Sequence, residues 1–302
     1  MDIFSKITKV VACDRGNRKV PLLSRPVFWK KACGLLVASK RIALVTGFMI
    51  QKTGTPETDG PCGAAVLGRS LLRSGRKCRI FTDPLCSAAV SACSAAVGGP
   101  FVGSTADPNQ VERWSPDLVV FIERPGRSAA GRYYNMKGED ITDSVFPLDD
   151  ILAADTVKAF ATIAVGDGGN EAGMGTLAGG LAEAIPSFFE YTSSTRADVV
   201  LPSDVSNWGA YALALLLSSV SGRWLGHSAA EERRMLEALV GCGAVDGVSK
   251  KSTLSVDGFS LPEETEVLLA LRGIYEEHVS ETSPAGDTRS FSGLPVENPA
   301  FS

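Results

Sequence analysis

The sequence predicts an α/β protein of three layers, with helices on both faces of a mostly parallel, Rossmann-like sheet. Two observations carry that prediction. Five short apolar or β-branched runs each end in a polar or glycine-containing loop and lead into a stretch of helical periodicity, which is the signature of βαβ units. The composition, 44% hydrophobic and 21% charged over 302 residues, is that of a chain able to bury a sizeable core. Residues 1–279 are read as one domain, with residues 1–39 a helical wrap around an Asp14-Arg15-Gly16-Asn17-Arg18 loop and residues 280–302, rich in Ser, Pro and Gly, a loose tail.

The first run is Ile42–Thr46, followed by a polar loop, Gln51–Gly60, and a helix starting near Pro61. In that helix Ala64, Leu67, Gly68, Leu71 and Leu72 fall on one stripe, and proline at the first turn gives up an N–H that has no helical partner anyway. The second run, Arg79–Thr82, ends at Asp83-Pro84 before an alanine-rich helix near Leu85–Val97. Asp117–Ile122 is the third, ending at Glu123 and opening a long loop through Tyr133–Ile141. Thr162–Val165 breaks into Gly166-Asp167-Gly168-Gly169 and a helix through Glu183; Asp198–Leu201 leads to the helix Gly209–Val220; and Glu263–His278 is a final helix. In such sheets ligands sit beyond the carboxyl ends of the strands, where these loops converge.

Several function classes are excluded as expectations. A net charge of −4 and a pI near 5.4 provide no basic field for a phosphate backbone, so nucleic acid is not an expected partner. The apolar stretches Ser87–Val102 and Ala210–Val220 are shorter than the roughly 20 residues a bilayer requires, so no membrane is expected. Seven cysteines without a CxxC pair suggest neither a disulfide framework nor a zinc knuckle, and with no secretory pattern at Met1–Lys9 they favour a reducing, cytoplasmic setting. Two histidines, His227 and His278, both late and in helical contexts, disfavour a Ser–His–Asp or Cys–His arrangement.

The most informative stretch is Gly166-Asp167-Gly168-Gly169-Asn170-Glu171-Ala172-Gly173-Met174-Gly175. Its glycines permit sharp turning, and free N–H groups at a helix start would hold an anion; the plain alternative is a tight strand-to-helix turn with an Asn N-cap. The second is Thr53–Pro61, whose Glu57 and Asp59 could bind a metal or an ammonium group, or satisfy loop backbone. Asp83 and Glu123 end apolar runs, where a charge is either solvated or employed. Tyr133-Tyr134-Asn135 could close over a ligand, Ser206-Asn207-Trp208-Gly209 offers an amide and an indole N–H, and Asp246-Gly247 and Asp257-Gly258 read as turns first.

Together, Pro56-Glu57-Thr58-Asp59-Gly60-Pro61, Tyr133-Tyr134-Asn135, the glycine string, Ser206-Asn207-Trp208-Gly209 and Val256-Asp257-Gly258 resemble the D-glutamate cyclase family, in its C-terminal domain. The resemblance runs from about Ile42 to the final helix, with Cys62 standing where the family string would have proline. It implies a carbon-oxygen lyase that converts D-glutamate to 5-oxo-D-proline and water. Animal members act in mitochondria and carry a further N-terminal domain resembling hydro-lyases. No counterpart of that domain is read here, so a stand-alone form is expected, either as a homo-oligomer or with a partner like the missing domain; the mitochondrial matrix is the alternative location.

For that chemistry Asp167 is the expected base, with Glu171 or Glu57 as proton donor. The N–H groups of Gly168, Gly169 and Asn170 would anchor a carboxylate, with Asn135 and Asn207 completing the site. Asp59, Asp83 and Glu123 would bind the ammonium or a divalent cation. No cofactor is required by the sequence, but oxygen ligands would select Mg²⁺, Mn²⁺ or Ca²⁺. The alternatives are a non-catalytic module for an amino acid or nucleotide, and another enzyme of carboxylate and hard-metal chemistry.

Overall fold

Residues 1–153 and 158–282 are described by a computed structural model. Helices α1 (Ile3–Val11) and α2 (Pro26–Ala38) precede β1 (Arg41–Thr46), a short hairpin of β2 (Met49–Ile50) and β3 (Thr55–Pro56), and α3 (Pro61–Arg73). Next come β4 (Lys77–Thr82), α4 (Ser87–Ala96), β5 (Val102–Ser104), α5 (Asn109–Arg113) and β6 (Leu118–Ile122). The remainder is β7 (Ala161–Gly166), α6 (Ala178–Ala184), β8 (Val199–Pro202), α7 (Ser206–Ser221), α8 (Ala229–Gly241), the hairpin of β9 (Ser255–Val256) and β10 (Phe259–Ser260), and α9 (Leu261–Thr282).

Six strands form one sheet in the order β5-β4-β1-β6-β7-β8, and every pairing in it is parallel. The three-layer Rossmann-like architecture is therefore observed. Strand side chains alternate between two cores: Ile42, Leu44, Leu118, Val120, Ile163 and Val165 enter one, whereas Ala43, Val45, Val119, Phe121 and Ala164 enter the other. Both faces are buried, which is why these runs read as nearly continuous apolar segments. The layers are unequal. The first core takes in the long helices α1–α4 and α7–α9, while the second is closed by the short α5 and α6, 3₁₀ turns and loops.

The order of strands fixes where a ligand can sit. From β1 the chain moves outward to β4 and β5, then returns to the opposite side of β1 as β6, so the loops leaving β1 and β6 diverge and open a crevice at their carboxyl ends. Gly60, just before α3, adopts φ 94°, and a Cβ there would lie 2.6 Å from Thr46 Oγ1 and 2.9 Å from Glu123 Cβ. Only glycine lets the two loops approach so closely.

The structure departs from the sequence reading at several elements. The edge strand β5 and the helix α8 were not predicted, and α9 continues to Thr282, so residues 280–282 are helical; the remainder of the expected tail, residues 283–302, lies outside the described residues. The glycine-rich stretch does not open a helix. A 3₁₀ turn at Gly175–Leu177 separates it from α6. Among the described residues, no helix is long and apolar enough to cross a membrane.

Candidate functional site

At the β1–β6 crevice lies a cavity of about 360 Å³. Glu57, Glu123, Asn135, Asp167 and Asn170, all proposed from sequence, line it, joined by Arg18, Asp257, Lys52, Lys137 and Lys250. Of the acidic strand ends and turns, those of Glu123 and Asp167 line it beside Glu57, whereas Asp59 and Asp83 are not among its lining residues. Glu57 follows β3, and its segment pairs with the C-terminal part of the chain through Thr58 N–H to the Val245 carbonyl at 3.0 Å and Val245 N–H to the Pro56 carbonyl at 2.9 Å. Asp246 accepts N–H groups of Val248, Ser249 and Gly258 at 2.9, 2.6 and 2.8 Å, which pins the turn presenting Asp257. Glu123 has φ 44°, a conformation a glutamate avoids at a cost of about 1–3 kcal/mol.

Around Gly168 lies an inner group. One oxygen from each of Glu123, Asp167 and Glu171 falls within 4.8 Å of the others. A Cβ on Gly168 would clash with the Met136 sulfur and lie 2.7 Å from Asn170 Oδ1 and 3.0 Å from Glu171 Oε1, so that glycine makes room for all three. Around Gly247 lies an outer group, where an added Cβ would lie 2.6 Å from Glu57 Oε2 and 2.9 Å from Asp257 Oδ1. Arg18 joins the two groups: its guanidinium pairs with Asp167 Oδ1 and, at 3.0 Å, with Asp257 Oδ2. The loop carrying Arg18 is held by Asp204, whose carboxylate accepts the N–H groups of Cys13, Asp14 and Arg15 at 2.9, 2.6 and 3.1 Å.

Burial governs the titration of these groups. It pushes Glu57 well above the usual carboxylate range, with the negative charges of Asp257 and Asp59 adding to the effect. Glu123 rises for the same reason, with Glu171 its strongest charged neighbour. Asp167 is also raised by burial, although Arg18 pulls against the shift. Asp59 is pushed up to about 7 by burial and Asp257, against the backbone N–H groups that favour its charge. Burial disfavours the Arg18 charge, but Asp167 and Asp257 outweigh it and hold the guanidinium well above its ordinary value.

Other residues proposed from sequence have structural employment. Asp83 is paired with Arg124 away from the cavity and accepts the N–H groups of Leu85 and Cys86 at 2.9 and 3.0 Å, so it is a buried turn-holder and not a ligand of the crevice. Asn207 does not face the cavity either: its Oδ1 accepts Gly60 and Gly63 N–H at 3.0 and 2.7 Å, and its amide donates to the Thr58 carbonyl at 3.2 Å. Asp59 accepts N–H groups of Gly60, Ser206 and Asn207 at 2.9, 2.9 and 2.8 Å, capping α7. The expected carboxylate anchor is already filled, since Gly168 and Gly169 N–H each donate to Glu171 at 2.8 Å. Asn135 lines the cavity but spends its Oδ1 on the N–H groups of Lys137 and Glu139 at 2.9 and 3.1 Å.

Sequence reasoning missed Arg18 as a site residue and ranked Asp257 as a turn. The signal available for both was weak. Each lies in or beside turns of left-handed backbone, with φ 65° at Asp14, 54° at Asn17 and 53° at Asp257, a conformation that Asp and Asn tolerate without implying a ligand.

Fold and cavity define a three-layer αβα protein that collects buried carboxylates, one bridging arginine and a lysine rim beyond the carboxyl ends of a parallel sheet. Residues 7–272 match the family described as D-glutamate cyclase-like, C-terminal, and the chain belongs to that family. It is 31% identical over 239 residues to the mitochondrial D-glutamate cyclase of Homo sapiens, an alignment covering 70% of this chain and 38% of the relative. The chain therefore spans well under half of that curated relative. Among solved structures it is similar to an exopolyphosphatase-related protein from Bacteroides fragilis, at TM-score 0.43 and 7% identity over 87% of this chain and 63% of that one.

Proposed function

We propose that the chain cyclises a free glutamate, D-glutamate by analogy with the human relative, to 5-oxoproline with loss of water. The observation that carries this reading is the division of the cavity lining, with Glu57, Glu123, Asp167 and Asp257 buried or half-buried and Lys52 and Lys137 exposed at its edge. An α-ammonium fits the acidic side, and the carboxylates of an amino dicarboxylate fit the lysines.

Ring closure moves two protons from the nitrogen to the departing γ-carboxyl oxygen, forms one C–N bond and releases water. A carboxyl group whose hold on a proton is strengthened by its surroundings, so that it can take one up and return it, is the natural carrier. Glu57 suits that role better than Asp167. Its Oε1 is buried without a partner, and its proton is held by burial and like charge, whereas the ion pair with Arg18 favours the ionised form of Asp167. Folding the substrate so that amine and γ-carbon meet within the cavity would supply a further part of the rate.

The test is incubation of the purified chain with D- and L-glutamate and chiral chromatography of the product. Turnover of one enantiomer is expected, and Glu57→Gln should reduce kcat about 100-fold or more with little change in KM. Full activity in that variant would remove Glu57 as proton carrier. A melting shift with glutamate but no product would replace the cyclase with a binding module.

A further inference from the structure

The inner group has no part in the proton transfers assigned to Glu57, yet it concentrates negative charge. Glu123, Asp167 and Glu171 are each at most 6% exposed, and the cation that pairs with one of them, Arg18, is shared with Asp257. Buried carboxylates in this number require protons or a further cation.

A second observation, independent of the acids, points to the cation. Asn170 is 2% exposed and lines the cavity, and its Oδ1 has no hydrogen-bond partner. The orientation of this amide is fixed, because Nδ2 donates at 2.8 Å to the Tyr134 carbonyl, an atom that can only accept. An oxygen, not an N–H, is therefore turned toward the side of Gly168 where Glu171 Oε1 and the Met136 sulfur also lie. Asp167 Oδ2 is likewise buried and without a partner, while Oδ1 is held by Arg18. An unsatisfied amide oxygen beside carboxylates can be satisfied by a hydrogen-bond donor or by ligating a hard cation.

We propose that Glu123, Asp167 and Glu171, with the side-chain oxygen of Asn170, form a binding site for one hard divalent cation of the Mg²⁺ or Mn²⁺ type. A rival grouping of Asp59, Asp167 and Asp257 also brings three oxygens within 4.8 Å. There, however, Arg18 already spans Asp167 and Asp257, two of the three carboxylates, whereas of the inner group it pairs with Asp167 and leaves Glu123 and Glu171 to another cation. The site uses the face of Asp167 opposite the guanidinium, so arginine and metal share one carboxylate without competing for the same oxygen. All-oxygen ligation excludes a preference for soft, thiolate-seeking ions.

The experiment is titration of the chelator-treated chain with Mn²⁺ alone, followed by electron paramagnetic resonance of the free ion and by thermal melting. One Mn²⁺ per chain is expected, with a rise in melting temperature. Asp167→Asn should weaken binding about 100-fold or more and Asn170→Ala about 10-fold, while Asp107→Asn, at a surface acid, should leave it unchanged. Asn170→Ala retains every charge and serves if Asp167→Asn does not fold. No stoichiometric binding by the wild type at millimolar Mn²⁺, or equal binding by wild type and Asn170→Ala, would overturn the site. Because substrate is absent, the result is independent of the cyclase assay: either metal result is compatible with formation of 5-oxoproline and with its absence.

Discussion

Replacing Arg18 by alanine probes the site and the stability of the fold at once. The side chain is 15% exposed and joins carboxylates that are 2% and 6% exposed. Removing one partner of a buried ion pair costs about 3–5 kcal/mol, and the partial access of water here points to the lower end, about 3 kcal/mol at about pH 8. The cost depends on pH. A carboxyl whose folded pKa is raised takes up a proton on folding, so its contribution is fully favourable below about pH 4 and is lost as pH rises toward the folded value. Asp167 is already such a group, and without the opposing pull of Arg18 its range of loss extends further upward. At about pH 5.5, where Asp167 can meet the loss of its cation by holding a proton, the deficit should shrink to about 1 kcal/mol. For a chain of this size, about 2 °C accompanies each kcal/mol, so the variant should melt about 6 °C below wild type at about pH 8 and about 2 °C below it at about pH 5.5. Arg18→Lys should recover part of the difference, because an ammonium cannot bridge two carboxylates as a guanidinium fork does. Equal melting of Arg18→Ala and wild type at both pH values would refute the reasoning, as would a deficit that is larger in acid.

Two further predictions separate structure from chemistry. Asp83→Asn should cost about 3 kcal/mol in urea denaturation by orphaning Arg124, yet leave kcat and KM of the folded fraction unchanged; a selective loss of kcat would return Asp83 to the site. Glu171→Gln keeps the shape but sets an amide N–H₂ against Gly168 or Gly169 N–H, so it should lose about 1–3 kcal/mol and should slow turnover by releasing the loop that carries Asp167, measured by denaturation alongside steady-state kinetics.

Much of the architecture could be read from the chain because its strands are buried on both faces. Ile42–Thr46 and Leu118–Ile122 announce themselves by unbroken apolar runs. Strand β5, in contrast, is three residues at the sheet edge, Val-Gly-Ser, too short and too small for any periodicity. Helix α8 left a signal that was passed over: Ser228 and Glu231 stand three apart and form a reciprocal capping box. Within the site, Glu57, Glu123, Asp167 and Asn170 could be anticipated because charge and amide groups at strand ends have to be employed. Glu171 and Asp59 were picked out by the same rule, but their oxygens face backbone N–H groups. Composition cannot tell a carboxylate that holds a loop from one that meets a ligand. Arg18 was beyond reach because its role arises only when the N-terminal loop docks on Asp204.

That docking has a consequence for how the molecule comes into being. Asp14 and Asp204 are 190 positions apart, and Asp257 lies further along still. The helices and central strands can condense through shorter-range contacts, but the guanidinium reaches its two acids only after these most distant parts of the polypeptide have met. The link between the inner and outer acidic groups is thus expected to form late in folding, and a growing chain cannot make it before Asp257 has been added.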